Sequence, residues 1–244
     1  MKKTTLMMVS ILIAFTSCSI NVNGLNKLKP SDNIARRAFK LNKFNEVESH
    51  VVGSIKLVQS EAKDGIVEIS APENYIEYFC FESKGENLDI NYAKGNLNLE
   101  GKNINITVYT SDLLKIRNSG VASITLDSLD TDELDVENSG VGDMKLNKIL
   151  ADKISVKCSG VGGISINGET QETILSCSGV GSIRAHGLKS KKTKASLSGV
   201  GGITCYASEY LDGKVTGVGS LEYDGHPKMK NLSKSGFTGS IKEI

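Results

Sequence analysis

SGVGGI at 159–164 and again at 198–203 is the stretch whose reading decides the fold, because close copies of it recur down the chain. The others are SGVASI at 119–124, SGVGDM at 139–144, SGVGSI at 178–183 and TGVGSL at 216–221, with a looser SGFTGSI at 235–241. The second residue of each copy is a glycine: Gly120, Gly140, Gly160, Gly179, Gly199, Gly217 and Gly236. Successive glycines are 20, 20, 19, 20, 18 and 19 residues apart. A period this constant means a solenoid, in which each unit buries its apolar face only by stacking on its neighbours.

Within each unit the residues six, four and two places before the glycine alternate with polar ones. They read Leu114, Ile116, Asn118; then Leu134, Val136, Asn138; then Ile154, Val156, Cys158; then Thr173, Leu175, Cys177. Alternation of this kind is strand periodicity, with these positions facing inward. Past the glycine the apolar phase is expected to shift. The next position holds Val121, Val141, Val161, Val180, Val200, Val218 and Phe237, and the fourth holds Ile124, Met144, Ile164, Ile183, Ile203 and Leu221. The sixth adds Leu126, Leu146, Ile166, Ala185, Cys205 and Tyr223.

The sequence therefore predicts an all-β parallel β-helix of about seven coils, each a strand, a glycine corner, a second strand and a loop. About twenty residues per turn is too short for helical hairpin repeats, and the L-x-x-L-x-L-x-x-N pattern of leucine-rich repeats is missing. Coils about 4.8 Å apart would stack the corners into one column, where glycine can take positive φ and neighbouring backbones can approach without a Cβ between them. Outward Arg117, Glu137 and Lys157 on consecutive coils form a charge ladder, with Lys115 and Asp135 beside it. Inward Asn118 and Asn138 are expected to stack as an amide ladder.

Domain organisation follows from these patterns. Residues 1–17 read as a lipoprotein-type signal peptide: Lys2 and Lys3 give a charged start, Leu6 to Phe15 an apolar run too short to anchor in a bilayer, and Phe-Thr-Ser-Cys follows. Cys18 is the expected lipidation site and so the contact with a membrane. Residues 18–33, rich in Asn, Ser and Lys, read as a tether. Residues 34–112 form a less regular N-terminal β region expected to cover one end of the helix, with Val52-Gly53-Ser54-Ile55 a degenerate first copy. Residues 113–244 are the SGVG β-helix, its far edge blunted by Lys228, Lys230, Lys234 and Lys242.

ITVYTSDLLKIRNSGVASI at 106–124, followed by the SGVG series, resembles the head GIN domain family, described as putative auto-transporter adhesins. The likeness runs from about Phe39 to Glu243. It implies a secreted β-helical fold in the bacterial envelope with adhesion as the role; together with the lipoprotein-type leader, the expected location is an outer-membrane lipoprotein facing the surface or the periplasm. The resemblance carries no catalytic residues onto this chain.

Composition narrows the function classes. Lys and Arg total 29 against 28 for Asp and Glu, so no basic excess is available for nucleic acid, and none is expected as a partner. Tryptophan, the best platform for sugars, is absent. No pair of acids recurs at strand distance for hydrolytic chemistry, and His50, His186 and His226 lack metal-ligand spacing, so no catalytic residue, metal or cofactor is expected. Beyond Cys18 there are four cysteines: Cys80, Cys158, Cys177 and Cys205. Cys158 and Cys177 share one repeat position, so their Cα atoms should lie about 5 Å apart; stacked free thiols are the expected state and a disulfide the alternative. The reading is a non-enzymatic envelope lipoprotein that contacts a protein or glycan through stacked outer faces. A periplasmic scaffold is the alternative, and a polysaccharide-active enzyme a more remote one.

Overall fold

The computed structural model describes residues 28–93, 99–235 and 238–244. It is an all-β solenoid, 67 % strand, of about six stacked parallel turns with an irregular N-terminal region. Gly236 and Phe237, in the last copy, and Cys18 with its leader lie outside the described residues.

Each coil has three sides. The first is a parallel series running through Lys115–Asn118, Glu133–Asn138, the later halves of Met144–Cys158, Val161–Cys177 and Leu188–Leu197, then Tyr210–Val215 and Met229–Lys234. The second runs through Val121–Leu126, the early halves of Met144–Cys158 and Val161–Cys177, then Val180–Arg184, Val200–Tyr206, Val218–Asp224 and Gly239–Glu243. The third is shorter, with Leu129–Asp130 stacked on Ile149 and Leu150. Side chains from all three fill a core in which Ile116, Val136, Val156, Leu175, Ile164, Ile183 and Ile203 are fully buried. Each such side chain contributes about 1.5–3 kcal/mol.

The N-terminal region joins the stack out of chain order. Glu46–Ser49 and Val52–Gln59 pair in parallel with the first SGVG coil, placing Val52, Gly53, Ser54 and Ile55 against Val121, Ala122, Ser123 and Ile124. That is the degenerate copy seen in the sequence. Asn87–Tyr92 and Asn105–Thr110 form a further coil on its other side. Antiparallel strands then close the end: Phe79–Lys84 on Asn87–Tyr92, and Ile66–Pro72 between Asn105–Thr110 and Ile34–Lys40. Aromatic residues plug this cap. Phe39 and Phe81 lie 5.0 Å apart and Phe79 and Tyr92 5.5 Å, over a fully buried Tyr75. A coil without a neighbour on one side needs bulk that the stack cannot supply.

The opposite end is closed by charge. In the last strands Lys230, Leu232 and Lys234 follow Leu211, Gly213 and Val215 in register, and Glu243 follows Tyr223. Lys230 Nζ pairs with Glu243 at 3.0 Å, and the Tyr223 hydroxyl donates to the same carboxylate at 3.0 Å. Charge at positions that would otherwise be core opposes the addition of another coil.

Four local expectations are corrected. Leu114 is only half-buried, because the coil begins irregularly and Leu113 takes the interior place. Lys115 and Asp135 are in register, but the lysine pairs at 3.5 Å with Glu46 on the coil before it. The apolar phase does not shift at the glycine: inward parity is kept through the corner, and the valine that follows points outward. Finally, positive φ belongs to the glycine two places further on, as at Gly162 with φ +124°, while close approach governs the corner itself. A Cβ at Gly160 would stand 2.0 Å from the Gly140 carbonyl oxygen.

Candidate interaction surface

The corner is built from contacts that repeat on every coil. Gly162 faces inward, and a Cβ there would lie 2.2 Å from the Gly142 oxygen, so the interior place after each corner admits almost no side chain. Its neighbour Val161 is consequently outward. Val121, Val141, Val161, Val180, Val200 and Val218 are in register from coil to coil and between 47 % and 56 % exposed. They form one straight apolar row along the rod.

Small polar residues flank it. On the corner side stand Ser119, Ser139, Ser159, Ser178, Ser198 and Thr216, with the Ser119 and Ser139 hydroxyls 3.3 Å apart. On the strand side stand Ser123, Asp143, Gly163, Ser182, Gly202 and Ser220, so a shallow trough runs beside the valine ridge. Asp143 is the one acid in these rows; its carboxylate accepts the Gly163 N–H at 2.8 Å. Arg184 extends over Gly163.

Beneath the surface a column of donors holds the corner closed. Asn118 Nδ2 donates to Asn138 Oδ1 at 3.0 Å, and Asn138 Nδ2 donates to the Gly142 carbonyl at 2.9 Å. On the next two coils the Cys158 and Cys177 thiols donate to the Gly162 and Gly181 carbonyls, each at 3.6 Å. Amide and thiol thus fill one structural place, each donating to the carbonyl four residues on. Cys80, Cys158, Cys177 and Cys205 are all free thiols. The hydrogen bond with Cys177 and then burial hold Cys158 well above the ordinary thiol range, and burial pushes Cys205 up to about 12.

On the first side the charge ladder extends further than the sequence indicated. Glu48, Arg117, Glu137 and Lys157 alternate in sign over consecutive coils, at 3.5, 3.2 and 2.8 Å. The Lys157 ammonium, with help from Arg117, holds the Glu137 carboxyl below its usual range against the opposing effect of burial.

His50 lies 3.4 Å from Glu48 and 3.6 Å from Asp89, His226 pairs with Glu243 at 2.9 Å, and His186 is exposed. Among the described residues no group of three or more His, Cys, Asp or Glu is placed to hold a metal ion. Asp132 and Asp152 do come onto adjacent coils, joined by a backbone hydrogen bond of 2.9 Å, a juxtaposition missed in the sequence because the third side has no glycine marker. They line a shallow depression of about 490 Å³ with Asp130, Glu169, Lys189 and Lys191.

The family profile described as "Putative auto-transporter adhesin, head GIN domain" matches residues 43–227, most of the stack and part of the cap. The chain belongs to this head GIN domain family. A solved structure described as a putative adhesin from Bacteroides fragilis NCTC 9343 is 34 % identical, with a TM-score of 0.85, covering 89 % of this chain and 100 % of the other. Two structures from Parabacteroides distasonis ATCC 8503 share the fold at lower identity. One, described as a putative adhesin, is 22 % identical with a TM-score of 0.69, covering 90 % of this chain and 100 % of its own. The other, described as a putative lipid binding protein, is 21 % identical with a TM-score of 0.68 over the same shares. No curated protein matches the chain. In this GIN domain the family motif and the candidate surface coincide, since each SGVG copy supplies one corner glycine, one flanking serine and one outward valine. Among the described residues no helix is long and apolar enough to cross a membrane.

Proposed function

We propose that this GIN domain is a non-enzymatic contact module of the cell envelope, an adhesin that presents the stacked outer faces of a rigid β-helix to a protein or glycan and is held to the outer membrane by lipid on Cys18. The row of six half-exposed valines carries this reading. Soluble monomers rarely leave so ordered an apolar strip in water, and contiguous exposed strips mark places where other molecules bind. The rows beside it hold Ser, Thr and Gly, with Asp143 and the overlying Arg184 side chain the charges there, so a neutral partner meets few fixed ions. Family membership and the adhesin description of the Bacteroides fragilis structure support the same role. The shallow acidic depression lacks the enclosed, water-excluding shape that hydrolytic carboxylates use, which favours a contact role over an enzymatic one.

Protease shaving of intact cells, with a lysed-cell control, tests the reading. Cleavage on intact cells is the expected outcome. Protection until lysis would place the β-helix in the periplasm and replace adhesion with an internal scaffold whose partner cross-linking should capture. Labelling with a radioactive fatty acid, lost in Cys18→Ser, tests the anchor.

A further inference from the structure

We propose that the valine-bearing face is the seat of a second copy of this chain, laid alongside in parallel, with the two-fold axis running along the rod between the valine row and the trough beside it. This rests on the reading that the outer faces are contact surfaces, and it names the partner. Shape comes first. Such an axis carries Val121, Val180, Val200 and Val218 of one copy onto the small residues Ser123, Ser182, Gly202 and Ser220 of the other, while Val141 meets Asp143 and Val161 meets the Arg184 side chain that covers Gly163. Ridge enters trough twice over, which makes the face complementary to itself, as an isologous contact requires.

Charge agrees with this placement. The next outward row, Thr125, Lys145, Ser165, Arg184, Thr204 and Glu222, is carried opposite the Ser119-to-Thr216 row of hydroxyls. No two like charges meet, and Lys145, Arg184 and Glu222 each face a hydroxyl. Asp143, the one acid between the ridges, accepts the Gly163 N–H with one carboxylate oxygen.

Area is sufficient. Four outward positions on each of six coils, with coils about 4.8 Å apart and alternate residues about 6.7 Å apart, cover roughly 800 Å² per copy, the size of a standard stable interface.

The row is also continuous with a contact the chain makes to itself. Val52 begins the valine column, in register with Val121, and is partly covered by the crossing segment at 99–101. A Cβ on Gly101 would lie 3.6 Å from Val52 Cβ, and Leu99, 6 % exposed, lines the same shallow cavity as Val52, Val121 and Val141. Where chain is available the row packs against it, and from Val121 onward the row is open. In the parallel arrangement both chains enter at the capped end, so both tethers can reach one membrane.

Sedimentation equilibrium of the full chain in density-matched detergent tests the proposal. A two-copy mass is expected at micromolar concentration. It should fall to one copy in Val161→Asp/Val180→Asp, with an unchanged melting curve because both side chains already face water. In a Cys80→Ser background, a mixture of Val180→Cys and Ser182→Cys chains should cross-link on oxidation. A one-copy mass for the parent chain overturns the proposal, as does a two-copy mass that survives the aspartates; cross-linking of Val161→Cys with Val180→Cys in its place overturns the parallel register. Protease shaving reads surface placement separately. One-copy mass with cleavage retained sinks the pairing and leaves the envelope role standing, and two-copy mass with protection does the reverse.

Discussion

Asn118 and Asn138 lie one above the other on adjacent coils, both fully buried, and the amide of the first donates to the amide oxygen of the second at 3.0 Å. Asn138→Leu would leave the Asn118 amide with only its 3.4 Å bond to the Ala122 carbonyl and would remove the side-chain donor to the Gly142 carbonyl, at a cost of about 1–3 kcal/mol. Leu197 occupies the same column two coils beyond Cys158, so the volume is tolerated. The double change Asn118→Leu/Asn138→Leu should recover part of the loss. Urea unfolding of the parent, Asn118→Leu, Asn138→Leu and the double variant decides it, and a double variant no better than the sum of the singles would show that the ladder is not the cause.

Glycine substitutions should separate sharply by position. Gly160→Ala and Gly162→Ala drive a methyl to within 2.0 and 2.2 Å of a carbonyl oxygen on the coil before, and no movement of one coil relieves this without parting the stack. Both should give insoluble protein. Gly85→Ala, at φ +63° with nothing near, should cost about 1 kcal/mol and remain soluble. Equal behaviour of the three in expression and thermal melting would refute close approach as the reason for the glycine columns.

Acid should weaken the charge ladder through Glu137. Its carboxyl titrates lower in the fold than in the unfolded chain, so its contribution is complete above the unfolded value of about 4.3 and is lost as pH falls through the folded one. Glu137→Gln should therefore be less stable than the parent by up to about 1 kcal/mol at neutral pH, less in high salt, with the gap closing in acid. A gap that is constant with pH would mean the carboxylate charge plays no part.

Thiol accessibility should follow burial. In the native protein buried Cys158, Cys177 and Cys205 should resist a maleimide at neutral pH, and half-buried Cys80 should react slowly. In urea all four should label. Rapid native labelling of Cys205 would show that the core opens far more readily than its packing implies.

The period of glycines and the alternation before them were enough to dictate a parallel β-helix with its coil length, its inward columns and the asparagine ladder. These features are local, since a residue and its counterpart some twenty places on must stack once the chain coils. The cap was legible only in outline. That the coil at 46–59 lies between the one built from Asn87–Tyr92 and Asn105–Thr110 and the first SGVG coil depends on which strand edges remain free, and no periodicity records that. The candidate surface was the least legible part, because valine after glycine looks like core. Only the tertiary structure puts it outside: the stacked backbones leave no room for a side chain at the next inward place, glycine fills it, and strand parity then turns every valine of the row toward solvent.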